Sequence, residues 1–364
     1  MTTHDMGKHL FVDDEEIHQT FGTWRVLNQP TKLPEPLITS GEPGRGVAAW
    51  GNAIREEDGR LRLWYLSYLT KGHDMGRAGV WGRGTEYGFF PQGMPGECPI
   101  THHSLGMYAE STDGLTWEKP NLGLYEHRGT RDNNIFLTGE AASRQFDGCV
   151  TNWDGHTIVR DEAEEDPERR YKMVAHWETS HVWDNRVHLL DRPGEDMERF
   201  WAHRAKYITC SPDGIHWNQP LERFKGCEGG DRMILMRDHR NRRWMLFDRP
   251  LSEPIPGIGY TRFLGLSYSE DLVEFTSPNE VVLTPDELDG HGELMQFESF
   301  IPFNYGNQDL AFLFASSLRT GGLSSTYLLS HRDGGPWKRV FRDQPFIPVG
   351  APGAHDRCSV VPLH

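Results

Sequence analysis

The feature that most constrains this chain is a strand–turn–strand unit that recurs along it. Its clearest copy is residues 229–250, GGDRMILMRDHRNRRWMLFDRP. Asp231 leads a short apolar run at 233–236, a charged turn follows at 237–243, and a second apolar run occupies 244–247. Two short apolar runs joined by a polar turn read as an antiparallel hairpin. An acid at the mouth of a buried strand is costly unless it is hydrogen-bonded or functional. A salt link from Asp231 to Arg232 or Arg249 is the structural alternative.

The pattern repeats. Asp231 to Phe247 and Glu298 to Phe314 span the same sixteen positions, the second in ESFIPFNYGNQDLAFLF. In DGHTIVRDEAEEDPERRYKMVAHW, Asp154 precedes a run at 157–159 and a second strand at 171–175. AAWGNAIREEDGRLRLWYLSY has the same hairpin, with Ala49 or Trp50 where the acid stands elsewhere. DRCSVV, led by Asp356, repeats the start of the unit near the end of the chain. Five copies of one unit predict a repeat architecture. Units of roughly 60 to 100 residues that each make a small twisted sheet fit propeller blades. The expectation is an all-β, five-bladed β-propeller in one domain, 1–364, with no long helix. Its last blade is closed by N-terminal strands at 10–12 and 24–27, which removes a sheet edge.

Other features narrow the function. A net charge of −15 argues against nucleic acid or an anionic membrane as partner and suits a neutral ligand. No apolar run approaches the roughly 18 residues of a membrane span. The opening MTTHDMGKHLFVDDEEIH has no apolar core of a secretion signal, so a cytoplasmic protein is expected. Five cysteines without CxxC spacing read as reduced, buried thiols. No His, Cys and acid cluster has metal-ligand spacing, and no nucleophile elbow or phosphate loop is present. No cofactor is expected, although a channel leaves room for a structural ion. Oligomeric state is left open.

Two insertions interrupt the units. A Gly-rich one between 67 and 127 has His73, Trp81, Tyr87, Phe89 and Phe90 to wall a ligand or cap a blade. A second, around 177–208, holds a short helix starting near Gly194. Three turns share a pattern: STDGLTWEKP from Ser111, SPDGIHWNQP from Ser211 and SEDLVEFTSP from Ser269. In each, a Ser hydroxyl and an Asp carboxylate cap backbone donors while Trp117, Trp217 or Phe275 packs inward. They have one residue fewer between Asp and Trp than the sialidase Asp-box.

With LFVDD, DGRLRLWY, YAESTDGLTWEKPNLGLYE, RYKMV, CSPDGIHW and SYSEDLVEFT, the chain resembles the bacterial glycosidase-like five-bladed propellers. These are relatives of the arabinanase, β-xylosidase and invertase/levanase superfamily. The resemblance implies three acids on the innermost strands of consecutive blades, in the order Asp, Asp, Glu. Asp154, Asp231 and Glu298 match that order. The implied roles are base or nucleophile, transition-state stabiliser and general acid. The invertase-type WMNDP motif is absent. Cleaving a glycosidic bond needs one carboxyl that holds a proton and another that is ionised. Trp50, Trp153 and His156 are expected to bind sugar beside these strand mouths, or to be core residues. Arg249 and Asp356 complete the expected substrate-binding set with Glu293, the rival acid. The expected activity is O-glycosyl hydrolysis of a small glycoside or oligosaccharide. The alternative is a non-catalytic carbohydrate-binding or scaffolding propeller.

Overall fold

The computed structural model describes residues 10–364 except 15–16, 40–44, 70–103, 128, 139–150, 180–204, 218–219, 228, 239–240, 251–261, 277–279, 293–294, 306–307, 318–322, 333–334 and 358. The middles of both insertions, 70–103 with its His and aromatic residues and 180–204 with the start of the expected helix, therefore lie outside the described residues. The described part is all-β. Among these residues no helix is long and apolar enough to cross a membrane.

Among the described residues, sixteen strands form four sheets of four. The first is β1 (Arg45–Arg55), β2 (Leu61–Leu69), β3 (Ser104–Ser111) and β4 (Ile135–Thr138). The second is β5 (Thr151–Arg160), β6 (Tyr171–Thr179), β7 (Ala205–Ser211) and β8 (Glu222–Arg223). The third is β9 (Gly229–Asp238), β10 (Arg243–Pro250), β11 (Leu264–Ser269) and β12 (Glu280–Leu283). The fourth is β13 (Met295–Tyr305), β14 (Gln308–Ser317), β15 (Leu323–His331) and β16 (Lys338–Arg339). In every sheet the strands lie in chain order, the up-and-down order of a propeller blade. The propeller class is as expected, but the described residues make four blades and not five.

The fifth hairpin fails for a backbone reason. Asp356 lies in a turn, and Ser359 makes a single parallel bridge to Ser324. Pro345, Pro348, Pro352 and Pro362 each remove a ladder donor from this segment. Residues 10–12 and 24–27 are not strands either. The N-terminal segment is fastened through side chains instead. Arg332 grips Asp13 with two bonds of 2.8 and 2.9 Å, Gln29 donates to the Pro345 carbonyl at 2.9 Å, and Lys32 to that of Pro348 at 3.0 Å.

The chain divides into two compact units. Unit 1 comprises 1–35, 247–267 and 278–362; unit 2 comprises 36–246, 268–277 and 363–364. In unit 2, the first strands β1, β5 and β9 pack side by side. Buried polar groups stitch them together. The Asn52 amide oxygen accepts the Ile158 N–H at 2.7 Å, and its nitrogen donates to the Thr157 hydroxyl at 3.4 Å. Thr157 Oγ1 in turn accepts the Leu235 N–H at 3.4 Å. On the other side, the His364 backbone oxygen accepts the Ala53 N–H at 2.7 Å, and its ring meets the Asn52 amide at 2.9 Å.

The three Ser–Asp turns have one architecture. Asp113 Oδ1 accepts the N–H groups of Leu115 and Thr116, both at 2.7 Å, while Ser111 Oγ accepts that of Gly114 at 2.8 Å. Asp213 and Asp271 repeat this with 215–216 and 273–274. The bonds from Thr116 and Leu115 hold Asp113 down at about 2. Gly114 and Gly214 take φ of +76° in their turns. Leu272 occupies the same place at φ +67°, its side chain buried against Phe224 and Phe275.

The second turn is the best anchored. Trp217 is buried with Trp64, Phe136 and Trp153, and its indole donates to the Gly214 carbonyl at 3.1 Å. Trp64 donates to the same carbonyl at 2.6 Å, and Arg62 to that of Asp213 at 2.6 Å. Phe275 is also buried, whereas Trp117 is only partly so. Trp217→Ala should therefore cost about 3–5 kcal/mol, the range for a buried aromatic truncated in a core. Trp117→Ala should cost clearly less. Urea unfolding of both variants checks this, and equal losses would refute the distinction.

Candidate active site

Two of the acid-bearing first strands, β5 and β13, are irregular near the expected positions, and so is β1. In β13 the pairing steps from Phe297↔Ala315 to Ser299↔Phe314, leaving Glu298 as the extra residue of a bulge. In β5 it steps from Asp154↔His176 to Thr157↔Val174, so the bulge begins directly after Asp154. Gly155, in that bulge, takes φ +59°. In β1 the step from Ala48↔Leu66 to Gly51↔Tyr65 leaves Ala49 and Trp50 over. Gly51 is obligatory there, since a Cβ would lie 1.8 Å from the Trp64 carbonyl oxygen. Bulges re-aim side chains and are frequent beside active sites.

Glu298 is the acid whose surroundings are described. It belongs to unit 1, and its carboxylate is 5% exposed. Arg249, at the end of β10, donates to Oε2, and Arg262 donates to Oε1 at 2.6 Å. Ser316 of β14 adds a bond to Oε1 at 3.3 Å, and its hydroxyl meets that of Ser324 on β15 at 2.8 Å. A buried carboxylate is tolerable only when paired and hydrogen-bonded, and this one is both. Arg249 is 13% exposed but Arg262 is 48% exposed, so the cluster reaches solvent at that guanidinium. The expected Arg249 and Glu298 are thus brought together.

The sequence did not point to Arg262. It lies 36 positions before Glu298, and no motif joins the two. Ser316 and Ser324 had no signal beyond being polar residues inside apolar strands. A second buried carboxylate in unit 1, Asp289, takes Arg339 on both oxygens at 2.8 Å and Arg342 at 3.0 Å. It fastens the short 3-10 turn Glu287–Gly292.

Asp154 and Asp231 stand on the neighbouring first strands β5 and β9 of unit 2; their side chains, like that of Trp50, lie outside the described residues. Glu293 does too. Trp153 and His156 take the second of their two expected places, the core. Trp153 is 0% exposed, stacked on Trp177 at 5.9 Å and edge-on to Phe136, with the His156 ring 5.2 Å away. A ring with no open face has none to offer a sugar, so both belong to the core. Asp356 has a partner of its own. It sits in a turn paired with Lys32, whose ammonium holds its carboxyl below the usual range. Among the described residues no group of three or more His, Cys, Asp or Glu is placed to hold a metal ion.

No family model matches the chain, and no curated protein matches it in sequence. Among solved structures it is similar to an N-acetylgalactosamine deacetylase from F. plautii in complex with blood group B trisaccharide. That match has 13% identity, covers 92% of this chain and 79% of the other, and has a TM-score of 0.50. It is similar to a glycoside hydrolase at 12% identity, over 88% of this chain and 80% of that one, with a TM-score of 0.52. A thermostable family-43 glycoside hydrolase matches at 11% identity over 84% and 75%, with a TM-score of 0.47. At these identities the first two likenesses show the fold alone: this chain shares it with a glycoside hydrolase and with an N-acetylgalactosamine deacetylase.

Burial makes the core acid-sensitive. Desolvation lowers His156 to about 3 and His364 to about 4, so both are neutral in the fold. Unfolded, each takes a proton near pH 6.5. Between that pH and the folded values the unfolded chain binds more protons, so stability falls as pH falls. The urea midpoint should drop from pH 7 to pH 5, and His156→Phe should flatten that slope. Identical slopes for both proteins would exclude the role of His156.

Proposed function

We propose that this protein is a glycoside hydrolase, or a close carbohydrate-active relative, acting on a small glycoside or oligosaccharide. Asp154, Asp231 and Glu298 are its functional carboxyls. The observation that carries the reading is positional. Each of the three stands on the first strand of its sheet, in three consecutive sheets, and two of the strands are bulged at or beside the acid. The shared fold supports it, since the neighbours' names denote a glycoside hydrolase and a deacetylase of an amino sugar.

In the proposed reaction one carboxyl protonates the glycosidic oxygen as its bond to the anomeric carbon breaks. A second, ionised carboxyl either draws a proton from the attacking water or forms a glycosyl intermediate that water then cleaves. Arg249 and Arg262 bear on the role of Glu298. Both of its oxygens accept from guanidinium groups, so serving as the acid requires one arginine to let go. That observation favours a second reading, in which Glu298 and its arginines bind sugar hydroxyls without turnover.

A screen of aryl glycosides and oligosaccharides separates the two. The proposed enzyme should turn over at least one substrate, and Asp154→Asn, Asp231→Asn and Glu298→Gln should each lower its kcat/KM by about 10²-fold or more, as loss of acid–base groups does. Saturable oligosaccharide binding with no turnover in the wild type would instead establish the binding protein.

A further inference from the structure

Among the groups bonded to Glu298, Arg262 differs from the rest in how it is held. Arg249 projects from β10 and is largely buried, and Ser316 and Ser324 project from the paired strands β14 and β15. Arg262 stands just before β11, outside any strand, with its side chain half in water. Its backbone is fastened beside the bulge, because its carbonyl accepts the Phe297 N–H at 3.2 Å. Its guanidinium has Glu298 as its one ion-pair partner among the described residues. The root of the side chain is therefore fixed while its head faces solvent.

Donor chemistry gives this arrangement a consequence. A guanidinium has only donors to offer. With Arg249 on Oε2 and Arg262 on Oε1, both oxygens of Glu298 serve as acceptors, which favours the ionised carboxylate. A protonated carboxyl needs an acceptor for its own O–H. The Ser316 hydroxyl, 3.3 Å from Oε1, is both donor and acceptor, and so is a hydroxyl of a sugar. Glu298 is buried, so a ligand reaches its carboxyl only where a neighbour gives way. Arg262 loses least by leaving, since water takes the place of the carboxylate at its exposed head. Arg249 would leave two charges in a buried setting, where breaking a pair is costly.

We infer that Arg262 is a latch on Glu298. At rest it keeps the carboxylate ionised and covered. It yields Oε1 to a substrate hydroxyl, whereupon the carboxyl takes a proton from water while Arg249 stays on Oε2. Arg262 is thus a positioning residue, which acts through Glu298 and not on the glycosidic bond. The inference rests on the reading of Glu298 as the proton-donating carboxyl. Arg249 from β10 and Arg262 from the segment before β11 face that carboxyl as charged groups, while β14 and β15 bring neutral hydroxyls.

The test follows the Glu298 carboxyl carbon of the full chain by 13C NMR against pH, its signal assigned with Glu298→Gln. Arg262→Ala should raise the midpoint by about one to three pH units, the effect of a neighbouring guanidinium on a carboxyl. Arg262→Lys, which keeps the charge, should return it toward the wild-type value. The urea midpoint should stay near wild type in Arg262→Ala and fall in Arg249→Ala. On an aryl glycoside that the wild type turns over, the alkaline limb of kcat/KM reports the free enzyme and that of kcat the complex. In Arg262→Ala the first limb should move up with the carboxyl midpoint. The second should stay, since the latch has already left in the complex. An unmoved carboxyl midpoint, or a kcat limb that shifts together with that of kcat/KM, would overturn the inference. So would an Arg262→Ala variant that loses as much stability as Arg249→Ala. A wild type that turns over no glycoside overturns the hydrolase reading instead; the carboxyl titration needs no turnover and still decides the latch.

Discussion

The side-by-side packing of β1, β5 and β9 rests on a short polar chain inside an apolar interior. The first strands of neighbouring blades lie in different sheets and share no sheet ladder. Asn52 and Thr157 solve this by offering side-chain acceptors to the backbone of the next strand, at Ile158 and Leu235. Both are buried, at 1% and 0% exposure, so every bond they make is shielded from water. Loss of either group would leave a buried N–H unsatisfied, which costs about 1–3 kcal/mol on top of the bond itself. The contacts also fix register. A slip by one residue would turn Asn52 to the other face of β1 and disconnect the series.

Much of the blade structure was legible because it is local. The hairpin at 229–250 becomes β9 and β10, and the Ser–Asp turns have the hydrogen bonds that their spacing demands. What failed was long-range. The motif DRCSVV looks like the start of a strand, yet Asp356 lies in a turn and the segment makes one bridge, Ser359 to Ser324, among the described residues. The N-terminal apolar residues at 10–12 and 24–27 have strand composition but are fastened by Arg332, Gln29 and Lys32 contacts that no periodicity encodes. Trp153 shows the limit for the site. Its place beside Asp154 suggested a sugar platform, but alternation along β5 turns it into the core. Arg262 was invisible for the opposite reason, since it reaches Glu298 from a segment with no pattern of its own.

Around Glu298, electrostatics and covalent geometry act together. The bulge gives the residue a position outside the regular alternation of β13, and the two guanidinium groups then meet the cost of enclosing its charge. Neither device alone suffices. A bulged glutamate without the arginines would be an unpaired buried charge, and arginines without the bulge would find Phe297 or Ser299 in its place. The half-exposed Arg262 is the softer of the two partners, because its guanidinium keeps water as an alternative. Arg249 is held more firmly by its burial.

The Gly214 carbonyl accepts two indoles, Trp217 of its own turn and Trp64 of the preceding sheet. At the next joint the contact is different: Lys225 and the third turn exchange backbone bonds with Val273 and Phe275. A Cβ at Gly214 would come within 2.8 Å of Trp64, and one at Gly226 within 2.1 Å of the Phe275 carbonyl oxygen. The joints are therefore keyed, each to its own neighbour. Although the blades descend from one pattern, they are no longer interchangeable parts. Duplicating or transplanting one would carry a key into the wrong lock, which ties the present order of blades to side chains at their seams.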